Sequence, residues 1–473
     1  MKKILINITN GFSLRYICHT DILKTLLRNK IEIIILSTDA ISTKKNIGLP
    51  GINYLEFSEK ELNIFKYSSK FYTFLEELRM FTYGGNYKTP NVVFNYTHHN
   101  KNLKNFFYRF IKLLLNKLFI IRKIFFYIQS FYYPKSLLEL IKNNNPDFIL
   151  TTSLGTLGFD EYVLRIANKL NINCATAILS WDNTTTRGYP GAVPKQIFCW
   201  TDKMKQELIE FSDCKKESIL VSGIPHFDNY FSKKKLTPKK IFLQKFNIDK
   251  KKKIILFITK GPSTYQYNPN ICKIIADNIL KKKLNNCHLI TRIHPLFYKI
   301  NKKNNEIEFK EALKVFQTLE KKYDCLSVNF PNITSYKQNF EMHRNEQDFL
   351  KNLIFYADVI VNIYSTINIE GAIFNKPLVN IDFDNLKPMY KWNKKYQRQN
   401  IEIDRNLDHN HRVIKTSGVK NVQNESELIN AISKYLINPN IDYENRSLIV
   451  KNEVGPNKGN AGNFIANKII NSL

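Results

Sequence analysis

The chain has 473 residues, 43% of them hydrophobic, and a formal net charge of +30. That length excludes one ordinary compact domain and fits two, each with enough apolar residues for a core. The charge favours anionic partners, namely nucleic acid, anionic lipid or phosphorylated substrates, against a background in which Lys, Asn and Ile are used heavily along the whole chain. The seven cysteines form no C-x-x-C pair, which excludes a zinc or disulfide framework and suits small buried side chains in a reduced compartment.

Lys3 to Thr9 reads as a strand, and the opening MKKILINITNG leads into strand, loop and helix rather than resembling a signal peptide. Asn10 to Ser13 is a turn, Leu14 to Arg28 is helical, and Ile31 to Leu36 is a second strand. This first βαβ unit lacks G-x-G-x-x-G and so gives little support for a dinucleotide. The alternation stops between residues 60 and 145. No Asp or Glu occurs in the 61 residues from Leu78 to Leu138. Lys101 to Lys135 combines eight Lys or Arg with dense Phe, Tyr, Leu and Ile. Basic residues every three to five positions predict a cationic helix face beside apolar ones, as suits a helix lying in an anionic membrane interface. The plainer reading is a pair of packed helices with solvated charges. Single-stranded nucleic acid is disfavoured, because no nucleic-acid module is recognisable. No stretch of about twenty apolar residues is free of charge, so no membrane-spanning helix is expected.

Alternation resumes at Asp147. Strands are expected at Phe148–Thr152, Cys174–Leu179, Gln196–Trp200 and Ser218–Ser222, with helices at Glu161–Leu170 and Thr201–Phe211. The loop from Ser180 to Gly188 stands at the carboxyl end of a strand. It offers an aromatic residue (Trp181), an acid (Asp182), an amide (Asn183) and a base (Arg187), as a sugar-binding loop needs. Asp182 is the first candidate for a catalytic or acceptor-orienting acid; an Asx turn that merely shapes the loop is the alternative. Lys233 to Lys253 is a basic linker region, and the domain boundary is placed between residues 235 and 236.

The second domain opens with strand Lys253–Thr259 and the loop Lys260-Gly261-Pro262-Ser263. Gly261 would let backbone approach a phosphate, with Lys260 or Ser263 in contact with it. Helix Asn270–Lys283 and strand His288–Arg292 follow. The strand runs into Arg292-Ile293-His294-Pro295. An imidazole there can donate to a phosphoryl oxygen and stabilise a departing nucleotide, and Pro295 biases His294 towards extended geometry. Asn301–Phe316 reads as polar and helical, Cys325–Asn329 as a strand and Asp348–Tyr356 as a helix. Then comes the stretch on which the reading turns, ADVIVNIYSTINIEGAIFNKPLVNID, from Ala357 to Asp382. It predicts strand Asp358–Asn362, a polar turn, helix Ile367–Phe374 and strand Leu378–Ile381. Ligands of open α/β sheets sit at such turns. Ser365 and Thr366 would face phosphate at a helix start, or simply cap the helix. Glu370, one turn on, could accept hydrogen bonds from a ribose diol. Asp382-Phe383-Asp384 has the form of a D-x-D metal motif but is discounted. Lys387–Gln399 is an aromatic, basic loop. Val413–Ser417 and Glu425–Leu436 read as a last strand and helix, and Gly455–Ile470 as a closing helix.

Several of these stretches resemble one group of proteins. The S-T-x-x-x-E-G/A-x-x-x-x-K-P pattern between two buried strands is similar to the donor-binding domain of GT-B glycosyltransferases. It is most similar to bacterial surface-polysaccharide enzymes and the related CDP-glycerol glycerophosphotransferases. The loop S-W-D-N-x-T-x-R/K-G, G-I-P-H-F-D at Gly223–Asp228, R-x-H-P, and the opening strand with its G-F turn and Arg15 resemble the same families. The resemblance implies an α/β chain of GT-B type. Two Rossmann-like domains would face a central cleft, at 1–235 and 236–473, with a basic helical insertion at about 60–145 and a last helix crossing back.

It further implies that Lys260, Gly261, Ser263, Arg292, His294, Ser365, Thr366 and Glu370 bind the donor. Gly11, Arg15, Trp181, Asn183, Arg187 and His226 would bind the acceptor; a solvated Arg15 and a packing role for His226 are the alternatives. Asp182 and His294 would be catalytic. The resemblance implies a glycosyltransferase that needs no metal and no cofactor. Its donor would be a UDP-, CMP- or CDP-linked sugar and its acceptor a lipid-linked or growing surface glycan. It would be cytoplasmic and peripheral on the inner membrane face through residues 101–135, without a nucleic-acid partner. Polyol phosphate transfer and UDP-sugar 2-epimerisation are same-fold alternatives, though an epimerase needs a denser set of acids. A non-catalytic basic membrane-binding protein is the alternative of another class.

Overall fold

The computed structural model describes residues 1–80, 82–84, 114–115, 117–232, 236–301, 304–335, 341–392 and 400–473. The expected interfacial residues 101–113 and 116, part of the linker near 233, and 393–399 of the aromatic basic loop lie outside them. The chain forms two compact units, one of Met1–Asp228 with Gly455–Leu473 and one of Asn229–Val454.

The first unit is built on β1 (Lys3–Ile8), β2 (Glu32–Ser37), β3 (Ile52–Glu56), β4 (Phe148–Thr151), β5 (Asn173–Ala177), β6 (Gln196–Cys199) and β7 (Ile219–Val221). Their order is β3-β2-β1-β4-β5-β6-β7, and every pairing is parallel. Central strands are apolar on both sides because helices cover both faces. Thus Ile6 pairs with Ile35 and Leu150, and all three are fully buried. β3, at the edge of the sheet, has no fully buried residue. The run Leu14–Arg28 is two helices, Gly11–Cys18 and Asp21–Arg28. Thr20 breaks it: its Oγ1 donates back to the Tyr16 carbonyl at 2.9 Å and accepts from the Ile22 N–H at 3.4 Å, capping the second helix.

Two glycines seat the closing segment on this unit. Gly455 has φ +75°, and a Cβ there would lie 1.9 Å from the Trp200 carbonyl. Gly223 has φ +80°, and a Cβ there would lie 2.1 Å from the Pro456 carbonyl. Helix Ala461–Ile470 then packs on helix Asp21–Arg28. Asp228 caps it from afar, accepting from the N–H groups of Ala461 at 3.0 Å and Gly462 at 2.8 Å. The G-I-P-H-F-D stretch is therefore, in part, the seat of the closing helix.

Helix Phe119–Gln129 carries most of the described part of the basic aromatic segment. Arg122 does not lie on an outer cationic face. It is 5% exposed and pairs with Asp213 at 2.8 Å, while its Nη1 donates to the Leu115 carbonyl at 2.8 Å. The outer face is apolar instead: Ile120 is 72%, Ile124 53%, Tyr127 67% and Phe131 60% exposed. Lys117 and Lys123 are exposed beside it. Among the described residues no helix is long and apolar enough to cross a membrane.

The second unit is built on β8 (Lys253–Ile258), β9 (Cys287–Arg292), β10 (Leu326–Asn329), β11 (Val359–Asn362), β12 (Leu378–Ile381) and β13 (Lys420–Val422). The order is β10-β9-β8-β11-β12-β13, again all parallel. Two sequence assignments change here. The stretch expected as strand Val413–Ser417 lies in helix Asp408–Lys415, and the strand is β13. Helical spacing buries Val413 while Arg412 pairs with Glu453 at 3.1 Å, so packing overrides the β-branched composition. Within Asn301–Phe316 the helix starts only at Lys310, and Ile300–Asn301 pairs antiparallel with Glu306–Ile307. All seven cysteines are free and buried.

Candidate functional site

In the second unit the chain leaves β8 towards β9 and β10 on one side, then returns to run β11, β12 and β13 on the other. The point where the order reverses lies between β8 and β11, where open parallel sheets bind ligands beyond the strands' carboxyl ends. The loops carrying Lys260, His294 and Ser365 follow β8, β9 and β11, three adjacent strands.

After β11, Tyr364 takes a left-handed backbone, φ +37°, costly for an aromatic residue by about 1–3 kcal/mol. Its N–H donates to Asn380 at 2.6 Å and its hydroxyl to Asp382 at 2.7 Å. Asp382 also accepts from Arg405 Nε at 2.9 Å, so this acid of the D-x-D stretch holds the turn. Ser365 Oγ accepts from the Ile367 N–H at 3.3 Å, the capping geometry. Thr366 Oγ1 donates to Glu370 Oε1 at 3.2 Å, and Tyr230 donates its hydroxyl to Glu370 Oε2. Glu370 is buried and oriented by these two hydroxyl groups. Helix Ile367–Ile373 has only seven residues, so its dipole adds little to the side chains' pull on an anion.

The His294 Nδ1 accepts from the Leu296 N–H at 3.1 Å, and the His294 backbone N–H donates to Thr259 at 2.8 Å. With Nδ1 an acceptor, the neutral ring carries its proton on Nε2, the arrangement required of a donor to phosphate. Gly261 lies beside this loop, where an added Cβ would stand 2.9 Å from Leu296 Cδ1. Lys260 forms an ion pair with Asp404, and its Nζ donates to the Tyr364 carbonyl at 3.5 Å. Burial pushes the Asp404 carboxyl up, against the pull of Lys260. Ser263 is half-buried in the same loop. Arg292 is turned elsewhere. It is 5% exposed, and it donates to Asn329 at 2.5 Å and to Glu346 at 2.5 Å, joining β9 to helix Glu346–Tyr356.

The first unit has its own reversal, between β1 and β4. Asn10 caps helix Gly11–Cys18, accepting from the Phe12 and Ser13 N–H groups at 2.9 Å each, so Gly11 is the helix's first residue. Arg15 lies with its guanidinium 5.1 Å from the Phe12 ring centre. His226 sits among Phe12, Tyr16, Trp200 and Phe227, with ring centres 4.4–5.5 Å away. Burial, reinforced by the Arg15 charge, pushes its imidazole down to about 3. The ring therefore packs in its neutral form among these aromatic residues. After β5, Trp181 is buried and Asp182 starts the short helix Asn183–Thr186. Asp182 Oδ2 accepts from Thr186 Oγ1 at 3.1 Å. Asn183 Oδ1 accepts from the Ser180 N–H at 2.7 Å, whereas Arg187 is exposed. Asp182, half-buried, is thus a fixed carboxylate at the rim of that loop.

A family model described as CDP-Glycerol:Poly(glycerophosphate) glycerophosphotransferase matches residues 199–471. The chain belongs to this family. No curated protein sequence matches it. Among solved structures it is similar to S. aureus MnaA bound to UDP, at 15% identity and TM-score 0.57, covering 100% of this chain and 98% of that one. It is similar to the UDP-GlcNAc 2-epimerase of Neisseria meningitidis bound to UDP-GlcNAc, at 14% identity, TM-score 0.55 and full coverage of both chains. It is also similar to the wall teichoic acid polymerase TagF, at 11% identity and TM-score 0.50, covering 100% of this chain and 88% of that one. The fold is GT-B, and the chain is a transferase of that fold, of the class that takes nucleotide-activated sugars or polyols.

Sequence reasoning missed Tyr230, which lies 140 positions from Glu370, and Asp404, which lies 144 from Lys260. No local motif marks either residue. Only the fold makes the pairs.

Proposed function

We propose that the protein transfers a sugar from a nucleotide-activated donor to a lipid-linked or growing surface glycan. The observation that carries this reading is the assembly beyond β8, β9 and β11: a histidine whose Nδ1 accepts from the Leu296 N–H, a Ser-Thr turn held in strained geometry, and a buried, oriented glutamate. His294, Ser365 and Thr366 would bind the donor phosphate, and Glu370 the ribose. Lys260 would act through its ion pair, holding Asp404 and the Tyr364 carbonyl beside that turn. His294 Nε2–H would donate to the departing phosphate oxygen, which would make a metal dispensable. In a direct displacement Asp182 would accept the proton of the acceptor hydroxyl. The apolar ridge of Ile120, Ile124, Tyr127 and Phe131, flanked by Lys117 and Lys123, would rest on the inner face of an anionic membrane and bring the enzyme to a lipid-linked acceptor.

A second reading, polyol phosphate transfer from a CDP-linked donor, is favoured by the family match itself. Thermal-shift measurement against UDP, GDP, CDP, CMP and dTDP separates the two. A ligand at about 100 times its Kd stabilises by roughly 2.7 kcal/mol. Stabilisation by UDP supports sugar transfer, and selective stabilisation by CDP or CMP favours the second reading. No stabilisation by any of the five would sink both and leave a non-catalytic membrane-binding protein.

A further inference from the structure

The first unit holds a concave site apart from the Ser180–Gly188 loop. Helices Lys70–Met80, Phe119–Gln129 and Asp160–Lys169 enclose a cavity of about 170 Å³. This is smaller than the roughly 300–1,000 Å³ of a drug-sized ligand site, and suits a single sugar ring.

Its wall is aromatic. Tyr132 is sandwiched between Phe65, with ring centres 4.4 Å apart, and Tyr72, 3.8 Å apart and 11° from parallel. Tyr67 stands at the rim, 67% exposed. Two buried polar groups on the lining have unused hydrogen-bonding capacity. Arg165, 4% exposed, donates from Nε to the Gly191 carbonyl at 3.1 Å and from Nη1 to the Tyr132 carbonyl at 2.9 Å. Its Nη2 has no hydrogen bond among the described residues, the nearest acid being Glu161 at 3.8 Å. Gln129 is 4% exposed, and its Oε1 also has none. A buried donor and a buried acceptor left unmade are unfavourable, so a ligand whose hydroxyl groups reached them would be favoured.

Charge selects the ligand further. The lining carries Lys66 and Arg165 against Glu76 and Glu77, and therefore no net charge. A phosphate would meet two carboxylates; a neutral ring would meet matched donors and acceptors. Apolar ring faces suit tyrosines, and hydroxyls suit amide and guanidinium groups.

We propose that this pocket binds an uncharged monosaccharide unit of the acceptor glycan. The word acceptor rests on the function proposed above; the pocket's chemistry does not. The wall is tied to the loop that follows Asp182, since Arg79 donates to the Tyr189 carbonyl at 2.5 Å and Arg165 to that of Gly191. A glycan held here would continue towards that loop.

The test is ligand-observed NMR on the full chain with methyl glycosides of glucose, galactose, mannose and N-acetylglucosamine, and with sn-glycerol 3-phosphate. At least one glycoside should bind, and Gln129→Ala, Tyr72→Ala and the rim variant Tyr67→Ala should weaken it tenfold or more. Nucleotide thermal shifts should be the same in wild type and variants. Tyr67→Ala serves as the variant least able to disturb folding. No glycoside binding, equal binding by the variants, or sn-glycerol 3-phosphate binding that the variants abolish would each overturn the proposal. Nucleotide binding retained beside such a result leaves the donor assignment standing, so the two readings fail separately.

Discussion

The hydroxyl of Tyr230 donates to Glu370 Oε2 while Thr366 donates to Oε1 at 3.2 Å, so a buried carboxylate is aimed by two residues from different elements. A hydrogen bond to a charged group contributes about 1.5–3 kcal/mol. Tyr230→Phe should therefore weaken nucleotide binding about tenfold by loosening Glu370, and Glu370→Ala should weaken it more. Calorimetric titration with the nucleotide selected by thermal shift checks this. Wild-type affinity in both variants would remove Glu370 from the donor site.

The Leu296 N–H bonded to His294 Nδ1 directs the neutral ring's proton to Nε2. His294→Ala should lower turnover by roughly a hundredfold to a thousandfold, the scale of one oriented donor to developing charge. Its melting temperature should shift little, since the ring is half-buried at a strand end. Steady-state kinetics with folded variant, compared at saturating donor, gives the answer; turnover within twofold of wild type would contradict it.

Asp182 is held by Thr186 at 3.1 Å at the start of a short helix. Asp182→Asn should keep donor affinity and lose about a hundredfold or more in turnover, as removal of a general base does. Unchanged turnover with acceptor bound would show that this carboxylate only shapes its loop.

His226 makes a pH prediction. Its folded value is pushed down to about 3, against an unfolded value near 6.5. The neutral ring is favoured in the fold, so its contribution is full above 6.5 and is lost as pH falls towards 3. Relative to His226→Phe, the wild type should lose at most about 1.4 kcal/mol per pH unit across that window. The comparison must be differential, because burial pushes Asp160 up to about 7, Asp228 up to about 6, and Glu161 upward as well. Those acids act in the opposite sense, losing their contribution as pH rises through those values. Denaturant unfolding of both proteins at several pH values tests it, and parallel profiles would refute it.

The proposed membrane docking would separate residues that look alike in sequence. Replacing Ile120, Ile124, Tyr127 and Phe131 by Ser should release the protein from anionic liposomes at all salt concentrations, while Lys117→Gln with Lys123→Gln should weaken binding mainly at low salt. Arg122→Gln should instead destabilise the fold by about 3–5 kcal/mol, the scale of breaking a buried pair, because Asp213 is left without its partner. Co-sedimentation and thermal melts distinguish these, and equal sedimentation of every variant would exclude the ridge as the docking surface.

Local sequence rules already specify the two parallel α/β sheets, the polar turns at their strand ends, the positions of Asp182, His294, Ser365 and Thr366 in those turns, and Glu370 on the helix that follows the last of them. These follow from local rules: β-branched runs buried on both faces, helical spacing, and turn residues between them. The tertiary structure alone decided which side chains are already taken. Arg292 is committed to Asn329 and Glu346, Arg122 to Asp213, and Lys260 to Asp404. It also decided that His226 is packing, that Asp228 caps a helix more than 200 residues away, and that residues 413–415 are helical. The physical reason is one of range. Periodicity and turn chemistry act over a few residues, whereas a buried charge finds its partner wherever folding brings one within hydrogen-bond reach, and that distance along the chain is not written in any local pattern.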